Sequence, residues 1–460
     1  MQDALRPDQD SNHLMKIAVT GQHAGVFREL DAVVRELWQR GHEVVFLPGA
    51  PLEDSQIQDI AAVTLEPRPE PSEAWSQRLR VGRQAINRGI YLRKGHPSPE
   101  RVAVSIENEL PDDVRAKVRT TLWRSAIGTR TALRVWRWIE AAGPASATVL
   151  SLLKQIDPDV MLVSPATWPS RPVEADYLHA SRTLGIPTIG CATRWDDLTS
   201  QGTVHVLPDV YLAWNEAMAQ EAVEIHDIPA NTIRITGAPH LDTFFSLRPR
   251  TSRADICARM GRPDAPYIVF LGSPHTLWDD DSFLVKSVTD ALASEFGASA
   301  PAVVVLPHES AQPASVQEYF DQLTHATCVV GLNTPAFLDA VIANRPSLMI
   351  VSDRYWPAQG RTGQFRHLLK GGFLEICRDA GDVARRVRRV VSGIDERAAG
   401  RAEFMRWFIR PCGVDVPASE IVASVIETAA RPNVGRVPMS SAARRHGVPG
   451  LSLASEGIAR

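Results

Sequence analysis

The chain has 460 residues, 44% of them apolar, and a net charge of −3. At roughly 150 residues per domain the length predicts two or three domains, and so small a charge implies no bulk attraction to nucleic acid or to an anionic membrane. The five cysteines, Cys191, Cys257, Cys328, Cys377 and Cys412, are isolated, which argues against a zinc site or a disulfide framework and suits a reducing compartment; no apolar run reaches the about 20 residues that span a bilayer.

Residues 1–14 are acidic and polar, unlike a secretory signal, and are expected to be disordered; Met15, directly before the first strand, is a second position where translation can begin. A strand is predicted at 16–20, followed by the glycine-bounded loop GQHAG at 21–25. An amphipathic helix at 27–40 carries Leu30, Val33, Val34, Leu37 and Trp38 on one face, and the next strand runs over 43–47. This order opens a Rossmann-like domain, in which ligand loops lie at strand C-terminal ends. From 51 to 111 the pattern is lost, although 78–94 reads as a basic helix; 113–142 reads as one or two helices rich in Trp and Arg. We take about 70–143 as a helical insertion whose basic residues either face an anionic acceptor or form a solvated face.

Alternation resumes with a helix ending at 156 and a strand at 160–164, then a helix at 173–184 and a strand at 188–191. The loop ATRWDDLTSQG (192–202) follows, then a strand at 210–214, a helix at 216–226 and a strand at 232–236. Gly237-Ala238-Pro239 closes the first domain, 15–239, and 240–265 reads as a linker. The second domain, 266–403, begins with a strand at 267–272 and continues through a helix at 282–296, a strand at 303–306 and a helix near 316–323. It then contains TCVVGLNTPAFLDAVIANRPSLMIVSD (327–353), a strand-turn-helix-strand unit in which Thr334 is the expected N-cap and Pro335 the first helical residue. A strand at 373–377 and a basic helix at 381–392 complete it. The stretches 404–409 and 418–430 read as helices packing back toward the first domain, and 431–460 as disordered.

Six constellations can carry chemistry. The turn Gly331, Asn333, Thr334 ends a parallel strand at a helix start, where amides favour an anion. The loop after the next strand gathers Gln359, Arg361, Thr362, Gln364, Arg366 and His367 at the edge that faces the ligand crevice; its arginines suit a diphosphate, its Gln and Thr hydroxyls. His308 with Glu309, and Ser273 with His275, follow two other strands of that sheet and suit a phosphate oxygen or a leaving group. His23 lies in the first β-α loop and suits either a base for an acceptor hydroxyl or an anchor for the loop. Asp196 and Asp197, with Trp195, Thr199 and Ser200, suit a cation or hydroxyl activation; adjacent side chains point apart, so the rival reading is a turn in which Asp caps the following segment. The sequence contains no GxGxxG, Walker A, GxSxG or HExxH motif, which removes dinucleotide oxidoreductase, P-loop NTPase, α/β-hydrolase and zincin readings as first choices.

These segments carry a resemblance. KIAVTGQHAGVFRELDAVVRELWQRGHEVVFL resembles the opening of a GT-B glycosyltransferase, and GIPTIGCATRWDDLTSQG, DVYLAWNEAMAQEAVEIHDIP and RITGAPHLDTFF resemble bacterial surface and capsular carbohydrate biosynthesis proteins, which show a WDNLTSKG loop. GLNTPAFLDAVIANRPSLMI, AQGRTGQFRHLL and GGFLEI resemble that family's second-domain core. The wider superfamily includes CDP-glycerol glycerophosphotransferases and UDP-N-acetylglucosamine 2-epimerases. The chain departs from the pattern at Leu306 and Glu309, where an Arg and a Pro flank His308 in relatives, at Asp197 in place of Asn, and at Pro335 in place of Ser. The unit between His308 and Tyr319 is short, so the second sheet is expected to lack an element.

The resemblance implies an α/β GT-B fold: two Rossmann-like doubly wound domains facing across a cleft, with a helical insertion in the first. It implies a nucleotide-sugar donor in the second domain, with Asn333 and Thr334 meeting the diphosphate, Gln359 and Thr362 the donor or its sugar, and His308 matching a family histidine; Ser273, His275, Gly331, Arg361 and Gln364 join the donor-site candidates on their places after strand ends. His23 is the expected base, and Asp196 and Asp197 complete the catalytic candidates. The expected activity is metal-independent transfer of a sugar to a surface glycan or lipid-linked acceptor, with the donor as substrate and no cofactor. A nucleotide-sugar 2-epimerase, a polyol-phosphate transferase and a catalytically silent GT-B scaffold stay open as alternatives. The expected location is cytoplasmic, with no nucleic-acid partner; peripheral membrane association and homo-oligomerisation are left open.

Overall fold

Apolar runs without polar alternation, such as Val160–Val163 and Tyr267–Leu271, are buried at every residue. Strands of that kind fit sheets covered on both faces by helices. The computed structural model describes residues 14–21, 25–49, 63–93, 96, 108, 110–118, 126–167, 172–272, 281–306, 316–351 and 362–430. The segments 1–13 and 431–460, expected to be disordered, lie outside them.

Among the described residues there are two sheets, and every strand pair in them is parallel. The first comprises β1 (Lys16–Gly21), β2 (Glu43–Pro48), β3 (Val63–Leu65), β4 (Val160–Val163), β5 (Thr188–Cys191), β6 (Val210–Ala213) and β7 (Ile233–Ile235), in the order β3-β2-β1-β4-β5-β6-β7. The second comprises β8 (Tyr267–Leu271), β9 (Ala302–Leu306), β10 (Val329–Gly331), β11 (Ser347–Ile350) and β12 (Leu374–Cys377), in the order β12-β11-β10-β8-β9. Strand order reverses at β1/β4 and at β8/β10, so the ligand crevice of each half opens at the carboxyl ends of those strands.

Two differences from the sequence reading are local. β3 lies inside the stretch where periodicity fails; it is a three-residue edge strand with only partial burial, too short to write a pattern. The helix expected at 404–409 is a π-turn, Met405–Ile409, continuing the helix Ala398–Phe404. The insertion comprises the helices Ala74–Tyr91, Asp112–Val118 and Ala126–Ala142.

The core is continuous between the halves. One cluster includes Val163, Ala213 and Trp214 of the first half with Val269, Val329 and Phe365 of the second, and Phe404, Phe408 and Ile409 belong to it. The rings of Phe404 and Phe408 are stacked with centroids 4.8 Å apart, and Phe408 meets Trp214 edge-on at 6.4 Å. The chain then crosses back. Gly237 has φ +84°, and a Cβ there would come within 3.0 Å of the Ile409 carbonyl, so the crossing needs glycine. The Ala238 amide donates to that carbonyl at 3.0 Å, and Asn215 Nδ2 donates to the Phe408 carbonyl at 2.9 Å. Asp242 receives the first amides of the helix Ala418–Ala430, from Ala418 at 3.2 Å and Ser419 at 2.7 Å. That helix lays Val422, Ala423 and Ile426 onto the outer face of the first sheet.

Candidate functional site

The turn after β10 starts its helix one residue later than the sequence suggests: Pro335, not Thr334, is the N-cap and Ala336 the first helical residue. Thr334 Oγ1 accepts from the Ala336 amide at 3.4 Å, and Pro335 already has helical backbone (φ −61°) before the helix Ala336–Ile342. Gly331 ends β10 in register with Leu271 of β8. Asn333 is 2% exposed; its Nδ2 donates to Thr362 Oγ1 at 3.0 Å, and its Oδ1 has no hydrogen-bond partner among the described residues. Thr362 is itself buried and directly precedes the helix Gly363–Lys370. Two constellations read separately in the sequence, the GLNTP turn and the RTGQFRH loop, are thus joined by a buried hydrogen bond.

That helix docks on the first half. A Cβ built on Gly363 would lie 2.7 Å from Thr199 Cγ2, so glycine is what makes room for the Thr199 side chain against this backbone. One turn further on, His367 Nε2 meets Glu221 Oε1 at 2.8 Å, and the imidazole lies 5.2 Å from the Phe408 ring. The RWDDLTSQG loop is therefore the opposite wall of the seam.

This wall is rigidly held. Trp195, Leu198 and Thr199 are buried. Trp214 Nε1 donates to the Ala192 carbonyl at 2.9 Å. The Val204 amide donates to His226 Nδ1 at 3.3 Å, which leaves Nε2 to donate to the Leu198 carbonyl at 2.7 Å. Tyr91 OH accepts from the Gly202 amide at 2.6 Å, and Asn87 Oδ1 accepts from the Thr203 amide at 3.0 Å. The helical insertion thereby braces the wall.

The two aspartates face different partners. Asp196 Oδ2 accepts from Ser200 Oγ at 2.6 Å, with Arg194 Nε 3.3 Å from Oδ1 outside hydrogen-bonding geometry. Asp197 Oδ2 accepts from the amides of Thr193 (2.8 Å) and Arg194 (2.9 Å), while its Oδ1 is buried and unpartnered. Burial, and then the neighbouring Asp196 charge, push the Asp197 carboxyl up to about 7 against the pull of those amides. His240, after Pro239, stacks on Trp214 at 4.9 Å; burial, then Arg194, push it down to about 3, so the ring is neutral. Its Nδ1 has no partner. Among the described residues Asp197 Oδ1, Glu221 Oε2, His240 Nδ1 and Asn333 Oδ1 are buried polar atoms without a hydrogen-bond partner, and Asp196 Oδ1 meets only the Arg194 charge. Buried polar groups are normally satisfied; these atoms belong to residues of the seam and its wall, and Glu174, Ser181 and His205 carry such atoms elsewhere in the first half.

His23, Ser273, His275, His308, Gln359 and Arg361 lie outside the described residues, and Gln364 falls in the helix Gly363–Lys370. Sequence reading missed Glu221 and His240. Glu221 pairs with a residue 146 positions away, which no local pattern signals; His240 stands in the quoted GAPH segment, where its histidine after a strand-ending glycine was a usable sign. The insertion's basic residues divide. Arg83 is fully buried, bonded to Glu140 (2.7 and 2.9 Å), Asp176 (2.6 and 3.2 Å) and the Pro172 carbonyl (3.0 Å); it is structural and does not face an acceptor. Among the described residues no three His, Cys, Asp or Glu side chains group as metal ligands, and no helix is long and apolar enough to cross a membrane.

No protein-family model matches the chain, and no curated protein matches it. Solved structures do match. The complex of S. aureus MnaA with UDP is 12% identical, with a TM-score of 0.52 over 90% of this chain and 96% of that one. The UDP-GlcNAc 2-epimerase of Neisseria meningitidis bound to UDP-GlcNAc is 10% identical, with a TM-score of 0.52 over 90% of this chain and 100% of that one. A glycosyltransferase from Rickettsia africae is 9% identical, with a TM-score of 0.51 over 91% and 99% of the two chains. At such identities the likeness is one of fold: this chain has the GT-B architecture of glycosyltransferases and UDP-GlcNAc 2-epimerases, two Rossmann-like α/β halves with a helical C-terminal crossover.

Proposed function

We propose that the protein binds a nucleotide sugar in the seam between its halves and transfers the sugar to a surface glycan or related acceptor. The observation that carries the reading is Asn333: a buried amide after the switch-point strand β10, tied to Thr362 and keeping one polar atom unpaired, opposite the wall formed by Trp195 to Ser200. The free atom is an acceptor, so it fits a donor hydroxyl better than a phosphate oxygen. The diphosphate is then left to Arg361, His308, Ser273 and His275 with Gln359 and Gln364, all of which follow strands of the second sheet in sequence. In the transfer, the acceptor hydroxyl oxygen bonds to the anomeric carbon as the bond from that carbon to the diphosphate breaks. The nucleoside diphosphate leaves, and the hydroxyl proton goes to a base, for which His23 is the candidate.

Epimerisation is the second reading, supported by the nucleotide-sugar 2-epimerases of Neisseria meningitidis and Methanocaldococcus jannaschii, which match over 90% of this chain. Titration calorimetry with UDP, UDP-GlcNAc, CDP-glycerol and other nucleotide donors tests the shared premise. Wild type is expected to bind one of them, and Asn333→Ala to bind it about tenfold more weakly, the worth of one buried hydrogen bond. Product formed without an acceptor selects the epimerase. If no nucleotide binds and Asn333→Ala changes nothing, both readings fall and a silent scaffold is left.

A further inference from the structure

A second cavity lies away from the seam, between the insertion helix Ala126–Ala142, the helix Glu174–Leu184 and the segment after Thr203. Its volume is about 280 Å³, and Arg137, Glu140, Arg182, His205 and Val206 line it. Its lining carries two guanidiniums, Arg137 and Arg182, against one carboxylate, Glu140. Both oxygens of Glu140 are held by Arg83, at 2.7 and 2.9 Å. Arg137 donates to the carbonyls of Val204 (2.6 Å), His226 (2.5 Å) and Asp227 (3.3 Å), and its Nε has no hydrogen-bond partner among the described residues. Among the described residues no carboxylate pairs with Arg137 or Arg182, and burial pulls the Arg137 guanidinium down to about 10. The Asp227 charge acts on Arg137, but that carboxylate is itself held by Arg134 at 2.6 and 2.9 Å, so the guanidinium has no counter-ion of its own among the described residues.

His205 adds a second polarity. It is 2% exposed, and its Nε2 lies 3.1 Å from Asn87 Oδ1. That oxygen also accepts from the Thr203 amide, so it is an acceptor and Nε2 carries the ring proton. The other nitrogen, Nδ1, is then a bare acceptor, and it has no partner. It calls for a hydroxyl donor.

We propose that this cavity binds a small hydroxylated anion, a sugar phosphate or sugar acid, with its charge on Arg137 and Arg182 and a hydroxyl on His205 Nδ1. The volume is just below the usual range for ligand pockets, which suits a monosaccharide derivative better than a nucleotide sugar. The site is therefore separate from the seam and stands whatever the seam binds.

The test is titration calorimetry of the full chain with D-glucose 6-phosphate, D-gluconate, inorganic phosphate and D-glucose. At least one of the two hydroxylated anions is expected to bind, the phosphate or carboxylate source being read from which; glucose and inorganic phosphate are expected to bind at least about tenfold more weakly. Arg182→Ala, at an exposed position, is expected to weaken binding about tenfold, and Val206→Trp to abolish it by filling the cavity, with circular dichroism confirming that both fold. Asn333→Ala is expected to leave it unchanged. Failure of both hydroxylated anions to bind overturns the proposal. So does equal binding by wild type and Arg182→Ala, and inorganic phosphate binding as tightly as either anion removes the role of His205.

Discussion

Asp197→Asn should stabilise the protein, and by an amount that grows with pH. Asp197 is fully buried, with one oxygen held by the Thr193 and Arg194 amides and the other unpartnered. Its carboxyl is pushed from an ordinary 3.8 up to about 7, so between those values the folded chain holds a proton that the unfolded chain has released. Stability is full below about pH 4 and is lost as pH rises toward 7. At about 1.36 kcal/mol per pH unit, the loss is about 1.6 kcal/mol at pH 5 and about 4 kcal/mol above pH 7. Asparagine has no proton to lose and can present its carbonyl to the same two amides. The advantage of Asp197→Asn should therefore grow by about 3 kcal/mol between about pH 5 and about pH 8.5. Any fixed difference in hydrogen-bond strength cancels in that comparison. Urea unfolding of both proteins at the two pH values, followed by circular dichroism, reads it directly. A gap that is constant with pH, or that shrinks as pH rises, refutes the burial argument.

Two further outcomes follow from the way the insertion is tied down. Arg83→Met leaves Glu140 and Asp176 buried without their cation, at a cost of about 3–5 kcal/mol; adding Glu140→Gln and Asp176→Asn should recover most of it, and a thermal-unfolding series in which the triple variant is no better than the single one contradicts the charge account. Glu73 is the opposite case to Asp197: burial raises it, but the Thr148 amide at 2.9 Å, its own amide and the Ser146 and Thr148 hydroxyls hold it down to about 2. Its contribution is present above about pH 4.5 and lost as pH falls toward 2; because the side chain is partly solvated it amounts to about 1 kcal/mol. Glu73→Gln should narrow the difference in melting temperature between about pH 6 and about pH 3, and a slope equal to that of wild type counts against those hydrogen bonds.

The Asp197 result bears on how the seam is built. The WDNLTSKG loop that this segment resembles has asparagine at that place, and here the Asp197 side chain folds back to hold the loop's own amides. An aspartate does the same work at the cost of a buried charge. The loop is rigid because Trp214, His226 and the pair Asn87 and Tyr91, which share one helix, reach it from three separate elements. Rigid support of this kind is what a binding wall requires.

Much of the architecture was written locally. Continuous apolar runs gave the buried parallel strands, and Gly or Pro at their ends gave the turns. The Thr334-Pro335 pair marked a helix start that the backbone adopts within a residue. The candidate turn and the loop that follows β11 were legible because chemistry-bearing residues crowd after strand ends, and in a parallel sheet all those ends share one edge.

Tertiary structure alone decided which of these groups meet and in what state. Gly363 against Thr199 and His367 against Glu221 join segments more than a hundred residues apart, and no periodicity records such a pairing. The same holds for charge. Arg83 and Arg137 read alike in a basic helical stretch, yet one is neutralised by two carboxylates and the other has only backbone carbonyls. Asp196 and Asp197 are adjacent in sequence, yet burial moves Asp197 to about 7 while its neighbour bonds a serine. Local sequence sets where an element begins and which face is apolar, because those depend on neighbours a few residues away. Desolvation and pairing depend on every group that packs around a side chain, and that is settled only when the two halves and the insertion close on one another.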